Sequence, residues 1–158
     1  MVLLLMILQL AAVQSENFMI QGRAALKESR YADAEKYLTL AIEEAERARL
    51  KDTQLGVAYN DLAETYRRTG RYNEAKSIFE KSMALLRKNT EPTRELVTIL
   101  NNAGALYMDT GQYMRSSELY EESLKAAKKA LPPNDTLFGT IYNGLGLATS
   151  AKGDSGKA

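Results

Sequence analysis

The sequence predicts an all-α fold, a solenoid built from antiparallel helix hairpins. Two observations carry that reading. Apolar and small residues recur with helical period: Tyr59, Leu62, Ala63 and Tyr66 fall at i, i+3, i+4 and i+7, and Tyr72, Ala75, Phe79, Ser82 and Leu86 mark a second face after Gly70. The hairpin also repeats at one spacing. Gly70-Arg71-Tyr72 is matched 41 residues later by Gly111-Gln112-Tyr113 and 41 earlier by Ser29-Arg30-Tyr31, and Gly153-Asp154-Ser155 follows 42 after Gly111. A supersecondary unit recurring at fixed spacing is the signature of a solenoid.

In chain order, Val2–Val13 is an apolar run broken only by Gln9. It falls short of the ~20 residues a bilayer span takes. Its length suits the apolar region of an export signal, with small residues around a cleavage point after Ser15, although no Lys or Arg precedes it. Three readings compete: an export signal, an apolar helix packed on the first repeat or on a partner, and a membrane anchor. We therefore set residues 1–15 apart from a repeat domain over 16–158.

The first repeat, about 16–50, carries Phe18, Gly22, Ala25 and Leu26 on its first helix. Tyr31, Ala34, Leu38, Ala41 and Ile42 line its second. Leu50–Thr53 reads as a connection, with Asp52 or Thr53 capping the next helix. The second repeat spans about 53–89, and Gly70 stops its first helix because a residue without Cβ takes the left-handed conformation cheaply. Pro92 marks the next break and suits a helix start. The third repeat, about 94–131, carries Leu100, Gly104, Tyr107, Gly111, Tyr113, Tyr120 and Leu124. After Leu131–Thr136 a fourth repeat, 136–158, shows one helix from Thr136 to Ala151, with Tyr142, Leu145, Gly146 and Ala148 on its core face. Its second helix is missing, so the C-terminal end is expected to be uncapped and open to self-association. The offsets align Phe18, Tyr59, Leu100 and Tyr142; Gly22, Ala63, Gly104 and Gly146; and Ala34, Ala75, Ser116 and Ala158.

The pattern Tyr59, Leu62, Ala63, Tyr66, Gly70, Tyr72, Ala75, Phe79 resembles the tetratricopeptide repeat. The spacing exceeds the usual 34 residues of that family. Leu100–Gly104, LNNAG, and the long second helices are similar to the kinesin-light-chain-like branch. Gln21 and Ala25 depart from the Leu and Tyr of the pattern, as a terminal repeat does. The resemblance covers roughly Phe18 to Ala158. It implies a right-handed α-α superhelix whose first helices line a concave groove that binds protein or peptide partners.

Composition narrows the chemistry. Lys and Arg total 21 against 20 Asp and Glu, which argues against a nucleic-acid partner. There is no cysteine and no histidine, so neither a thiolate nor the commonest general base is available. Gly153-Asp154-Ser155-Gly156 resembles a serine-nucleophile segment but has no base to serve it. Gly156-Lys157 lacks the remainder of a phosphate-binding loop. The Glu-rich helix faces, Glu43, Glu44 and Glu46 and then Glu118, Glu121 and Glu122, alternate with Lys and Arg as solvated surfaces do. Asn134-Asp135-Thr136 spells a glycosylation sequon that matters only in a eukaryotic secretory setting. We expect no catalytic, cofactor or metal site.

The remaining signal is the inner face of the first helices. Its non-core positions are Asn60, Asp61, Glu64, Arg67 and Arg68; then Asn101, Asn102, Ala105, Met108 and Asp109; then Asn143, Gly144, Leu147 and Ser150. Asn60, Asn101 and Asn143 recur in register and form an expected ladder. An amide can pair with any peptide, or with neighbouring helices to stiffen the stack. The clamp that some family members close on a C-terminal carboxylate uses Lys, Asn and Arg at fixed inner positions; here Met19, Arg23, Asp61, Thr98 and Asn102 occupy them with largely the wrong charges, so that ligand is not expected. The reading is a non-catalytic interaction module that binds a peptide of mixed charge. Its rivals are a structural subunit or assembly factor docked through residues 1–15 and the open end, or the recruiting domain of a longer protein. Residues 1–15 are the one segment suited to a membrane. The compartment follows from them: exported, periplasmic or lumenal if they are a signal, cytoplasmic otherwise.

Overall fold

The computed structural model describes residues 1–155; Gly156, Lys157 and Ala158, and the readings placed on them, lie outside the described residues. Among the described residues seven α-helices follow one another: α1 Val2–Lys27, α2 Tyr31–Arg47, α3 Asp52–Arg68, α4 Tyr72–Leu86, α5 Arg94–Asp109, α6 Tyr113–Ala130 and α7 Leu137–Ser155. They form an all-α helical-repeat solenoid with no strand among the described residues. The chain divides into two compact units, one over Met1–Leu85 and one from Leu86 onward.

The turns inside the hairpins share one backbone device. Gly70 and Gly111 hold φ of +75° and +71°, and Ser29, in their register, holds +59°. A left-handed residue ends each first helix so that the following Arg30, Arg71 or Gln112 can donate its N–H back to the helix, to Ala25, Tyr66 or Tyr107 O. Gly153 does not act this way. Helix α7 runs through it to Ser155. Glycine weakens a helix by about 1 kcal/mol without ending it.

A second device joins the helices of each pair. Ser82 Oγ on α4 donates to Gly56 O on α3 at 2.6 Å, and Ser123 Oγ on α6 donates to Val97 O on α5 at 2.9 Å. In the first pair the donor changes sides, with Ser15 Oγ on α1 donating to Ala41 O on α2 at 2.8 Å. Residues 15, 56 and 97, and likewise 41, 82 and 123, are 41 apart. Each hydroxyl is buried and satisfied, which fixes the register of its pair as well as its spacing.

The first unit's core joins Ala25, Ala34, Leu38, Ile42, Ala58 and Leu62, with Met19, Leu55, Tyr59 and Tyr66 packed around them. Gly22 lets α2 approach: a Cβ there would meet Leu38 Cγ at 2.7 Å. In the second unit Tyr120 of α6 is seated between glycines of α5 and α7. A Cβ on Gly104 would lie 3.0 Å from its ring, and one on Gly144 only 2.4 Å.

That contact corrects the fourth repeat. Ile141, Gly144 and Ala148 are the buried face of α7, whereas Tyr142 is 53% exposed, stacked on Phe138, and Gly146 faces open space. Ile141 is 41 residues after Leu100, so the period of 41 persists and the 42-residue alignment is one position late. One residue turns a helix by about 100°, enough to exchange core for surface.

The connections differ slightly from expectation. Helix α3 takes in Asp52 and Thr53 and starts from Lys51 without a side-chain cap. Thr93 caps α5, its Oγ1 accepting from Leu96 N at 3.3 Å, and Asp135 Oδ1 accepts from Leu137 N at 3.0 Å at the head of α7. Helix α1 begins at Val2, so the apolar run and the first repeat's first helix are one continuous 26-residue helix.

Candidate functional site

On the first unit the inner-face residues of α1 and α3 assemble into a connected set of charges. Asp61 accepts from Arg23 Nε at 2.5 Å and from Asn60 Nδ2 at 3.0 Å. One turn on, Glu64 accepts from Arg67 Nε and Nη2 at 2.8 and 2.9 Å, and from Arg68 Nε at 2.7 Å. The i, i+3 and i, i+4 spacing of these residues on α3 is what lets one carboxylate serve two guanidinium groups.

The two carboxylates respond oppositely. Burial pushes the Asp61 carboxyl above its ordinary range, more than the opposing pull of Arg23 restores. Burial also raises Glu64, but the bonds from Arg67 and Arg68 outweigh it and hold that carboxyl below its ordinary value. Glu64 is therefore the better-compensated anion, and Asp61 depends on Arg23.

Arg23, Leu26, Lys27, Asp61 and Arg68 line a shallow depression of about 340 Å³. Three of its five linings are cations and one is a carboxylate already engaged. Arg68 and Lys27 are exposed at its rim, and Leu26 offers a half-buried apolar wall. The floor can receive an anionic group beside a short aliphatic one. Leu26 and Lys27 carried no functional signal in the sequence, because their role comes from the neighbouring helix.

The asparagines part company. Asn60 and Asn101 are buried, at 6% and 8% exposure, whereas Asn143 is exposed. Asn143 sits one position past the 41-residue register, so it does not continue a ladder with the other two. The Asn101 Oδ1 is buried and has no hydrogen-bond partner. On the second unit Asn102 and Met108 are half-buried, and Asp109, Asn143 and Leu147 are exposed; Gly144 is buried under Tyr120 and offers no surface. No group of three or more acid residues among the described residues could hold a metal ion.

No curated protein matches the chain in sequence. Solved structures do match in fold. BtubC (BKLC) from P. vanneervenii superposes with a TM-score of 0.79 at 17% identity, covering 89% of this chain and 57% of its own. This chain thus spans little more than half of that relative's length. The Sgt2 TPR domain from Aspergillus fumigatus gives a TM-score of 0.69 at 16% identity, with 91% of this chain and 82% of that one covered. The TPR-like repeats of a kinesin light chain-like protein from Podosopora anserina give 0.67 at 19% identity, covering 93% and 69%. Two family models, each described as tetratricopeptide repeat, match residues 17–88 and 96–136, together well over half of the chain. With the hairpins, the left-handed turns and the 41-residue register, these matches establish that the chain belongs to the tetratricopeptide repeat family, with repeats of the kinesin-light-chain-like kind.

Proposed function

We propose that this chain, a protein–protein interaction module in the general sense of its family, is non-catalytic and that its first unit binds a peptide of mixed charge along the inner face of α1 and α3. The observation that carries this reading is the depression of Arg23, Lys27, Arg68, Leu26 and Asp61. An acidic side chain of the peptide sits among the cations there, and an adjacent aliphatic one lies on Leu26. The engaged carboxylates repel a uniformly acidic ligand and so select a mixed one. Asn102, Met108, Asp109, Asn143 and Leu147 provide further accessible contacts on the second unit. Buried Asn60 donates to Asp61 and holds that carboxylate in place, and buried Asn101 offers little surface to a ligand.

An array of mixed-charge peptides, read by fluorescence polarisation, tests the proposal. Lys27→Ala with Arg68→Ala is the informative variant, because Glu64 keeps Arg67 and Asp61 keeps Arg23. The expected result is loss of binding with helicity unchanged. A control variant, Lys125→Ala with Lys128→Ala on α6, should keep it. Equal loss in both variants, or in neither, would refute the assignment.

A further inference from the structure

Helix α1 is longer than its partner. Residues 11–27 match the 17 residues of α2, with Ala11 buried at 2% and Ser15 bonded to Ala41 O. Val2–Leu10 runs on beyond that pairing, about 14 Å of helix that is exposed but for the half-buried Leu8. The equivalent of Ala11 in the next repeat is Asp52, where α3 begins. The extension is therefore an addition to the repeat and not part of it.

Its surface is apolar all round. Val2, Leu3, Leu4, Leu5, Met6 and Ile7 are consecutive, and each is at least 47% exposed. Six successive residues cover every direction around a helix. A protein groove takes one stripe of a helix and leaves the opposite side polar. Here the single polar side chain before Gln14 is Gln9. An all-round apolar surface fits hydrocarbon.

The base of the extension carries cations. Because α1 and α2 run antiparallel, the end of α2 and the loop after it lie beside Ala11. Arg49 and Lys51 are exposed there. Nearby charges are partly engaged: Glu44 pairs with Arg47 at 3.0 Å, and Glu46 accepts from Tyr59 Oη at 2.8 Å. Glu43 is exposed on α2, and Asp52 opens α3.

The whole of α1 is long and apolar enough to cross a membrane by length and composition. Spanning takes about 20 residues. Those beyond Leu10 are held by α2, so a span would require the first hairpin to open.

We propose that Val2–Leu10 inserts obliquely into one leaflet of a lipid bilayer, with Arg49 and Lys51 at the level of anionic headgroups, so that the repeats are presented at a membrane surface. An oblique pose keeps the first unbonded N–H groups of the helix close to the headgroups, where water can satisfy them.

Flotation of the purified chain with phosphatidylcholine vesicles, with and without phosphatidylserine, tests this. The full chain floats, more strongly with phosphatidylserine. Leu4→Glu with Ile7→Glu lowers the bound fraction about tenfold or more at unchanged helicity. Arg49→Glu with Lys51→Glu removes the phosphatidylserine dependence. The chain has no tryptophan, so Leu5→Trp is a unique probe, quenched by lipids brominated on the upper acyl chain. Absence of flotation, or equal flotation of the Leu4→Glu, Ile7→Glu variant, overturns the proposal. Labelling of the Met1 amine by a reagent trapped inside the vesicles overturns the single-leaflet pose. If vesicles do not bind and light scattering shows the parent chain assembling while that variant stays monomeric, the extension is a self-association surface instead.

Discussion

Two glycines on α7, two residues apart, should respond to alanine with opposite sign. Gly146 faces open space, and nothing lies within 4 Å of a Cβ placed there. Gly146→Ala thus gains helix propensity alone, about 1 kcal/mol. Gly144→Ala gains the same propensity but places its Cβ 2.4–2.8 Å from the Tyr120 ring and hydroxyl. The ring is only 5% exposed and packs close over Gly104 of α5, so moving aside disturbs that contact. Overpacking of a core costs about 1–3 kcal/mol. Net of propensity, Gly144→Ala is destabilising by up to ~2 kcal/mol. Urea unfolding followed by circular dichroism measures both. A cycle with Tyr120→Leu isolates the contact, because a shorter side chain abolishes the penalty and Gly144→Ala then behaves like Gly146→Ala. A shift of both single variants in the same direction, or a penalty that survives Tyr120→Leu, would refute the seating of Tyr120.

The serine bonds predict that Ser82→Ala and Ser123→Ala each cost about 1 kcal/mol in denaturant unfolding, and that Ser15→Ala costs the same although its donor is on the opposite helix. Glu64 is held below its ordinary carboxylate range, so it contributes stability above that range and loses it as pH falls through its lowered value. Glu64→Gln should be less stable than the parent at neutral pH, with the difference fading in acid; thermal melts across pH check this. Asp61 is raised, so ionising it opposes folding, and Asp61→Asn should gain relative stability as pH rises through the carboxylate range. Arg71 bonds both Glu35 oxygens at 2.9 and 2.8 Å and Glu74 at 3.0 Å, and lies 4.1 Å from the Tyr66 ring centre. Lysine cannot reproduce that fork and stack, so Arg71→Lys should lower the melting point.

Much of the fold was legible because a repeat states its rule several times. Gly70 and Gly111 mark left-handed turns, and their register led to Ser29, which a single hairpin would not have revealed. The failures are equally specific. Gly153 departs from the rule because a glycine permits a turn without imposing one. Aromatic character and a 42-residue offset point Tyr142 inward, yet it is exposed. The smaller Gly144, beside Ile141, is what the Tyr120 ring requires. Asn143 was carried off the register by the same slip.

The candidate site was legible only in part. Asp61, Glu64, Arg67 and Arg68 could be put on one helix face from spacing alone. Their pairing with one another, and of Asp61 with Arg23, depends on how α1 lies against α3, as do the roles of Leu26 and Lys27.

By itself the sequence determined the helices, the turns between them, the repeat and the family, because these depend on local period and on recurrence. The tertiary structure decided which side of each helix is buried, which hydroxyl satisfies which carbonyl, and where α2 stops covering α1. The physical reason is that burial is a property of neighbours. A helix carries its period within its own residues, but a side chain becomes core, site or exposed surface only when another helix does or does not lie over it.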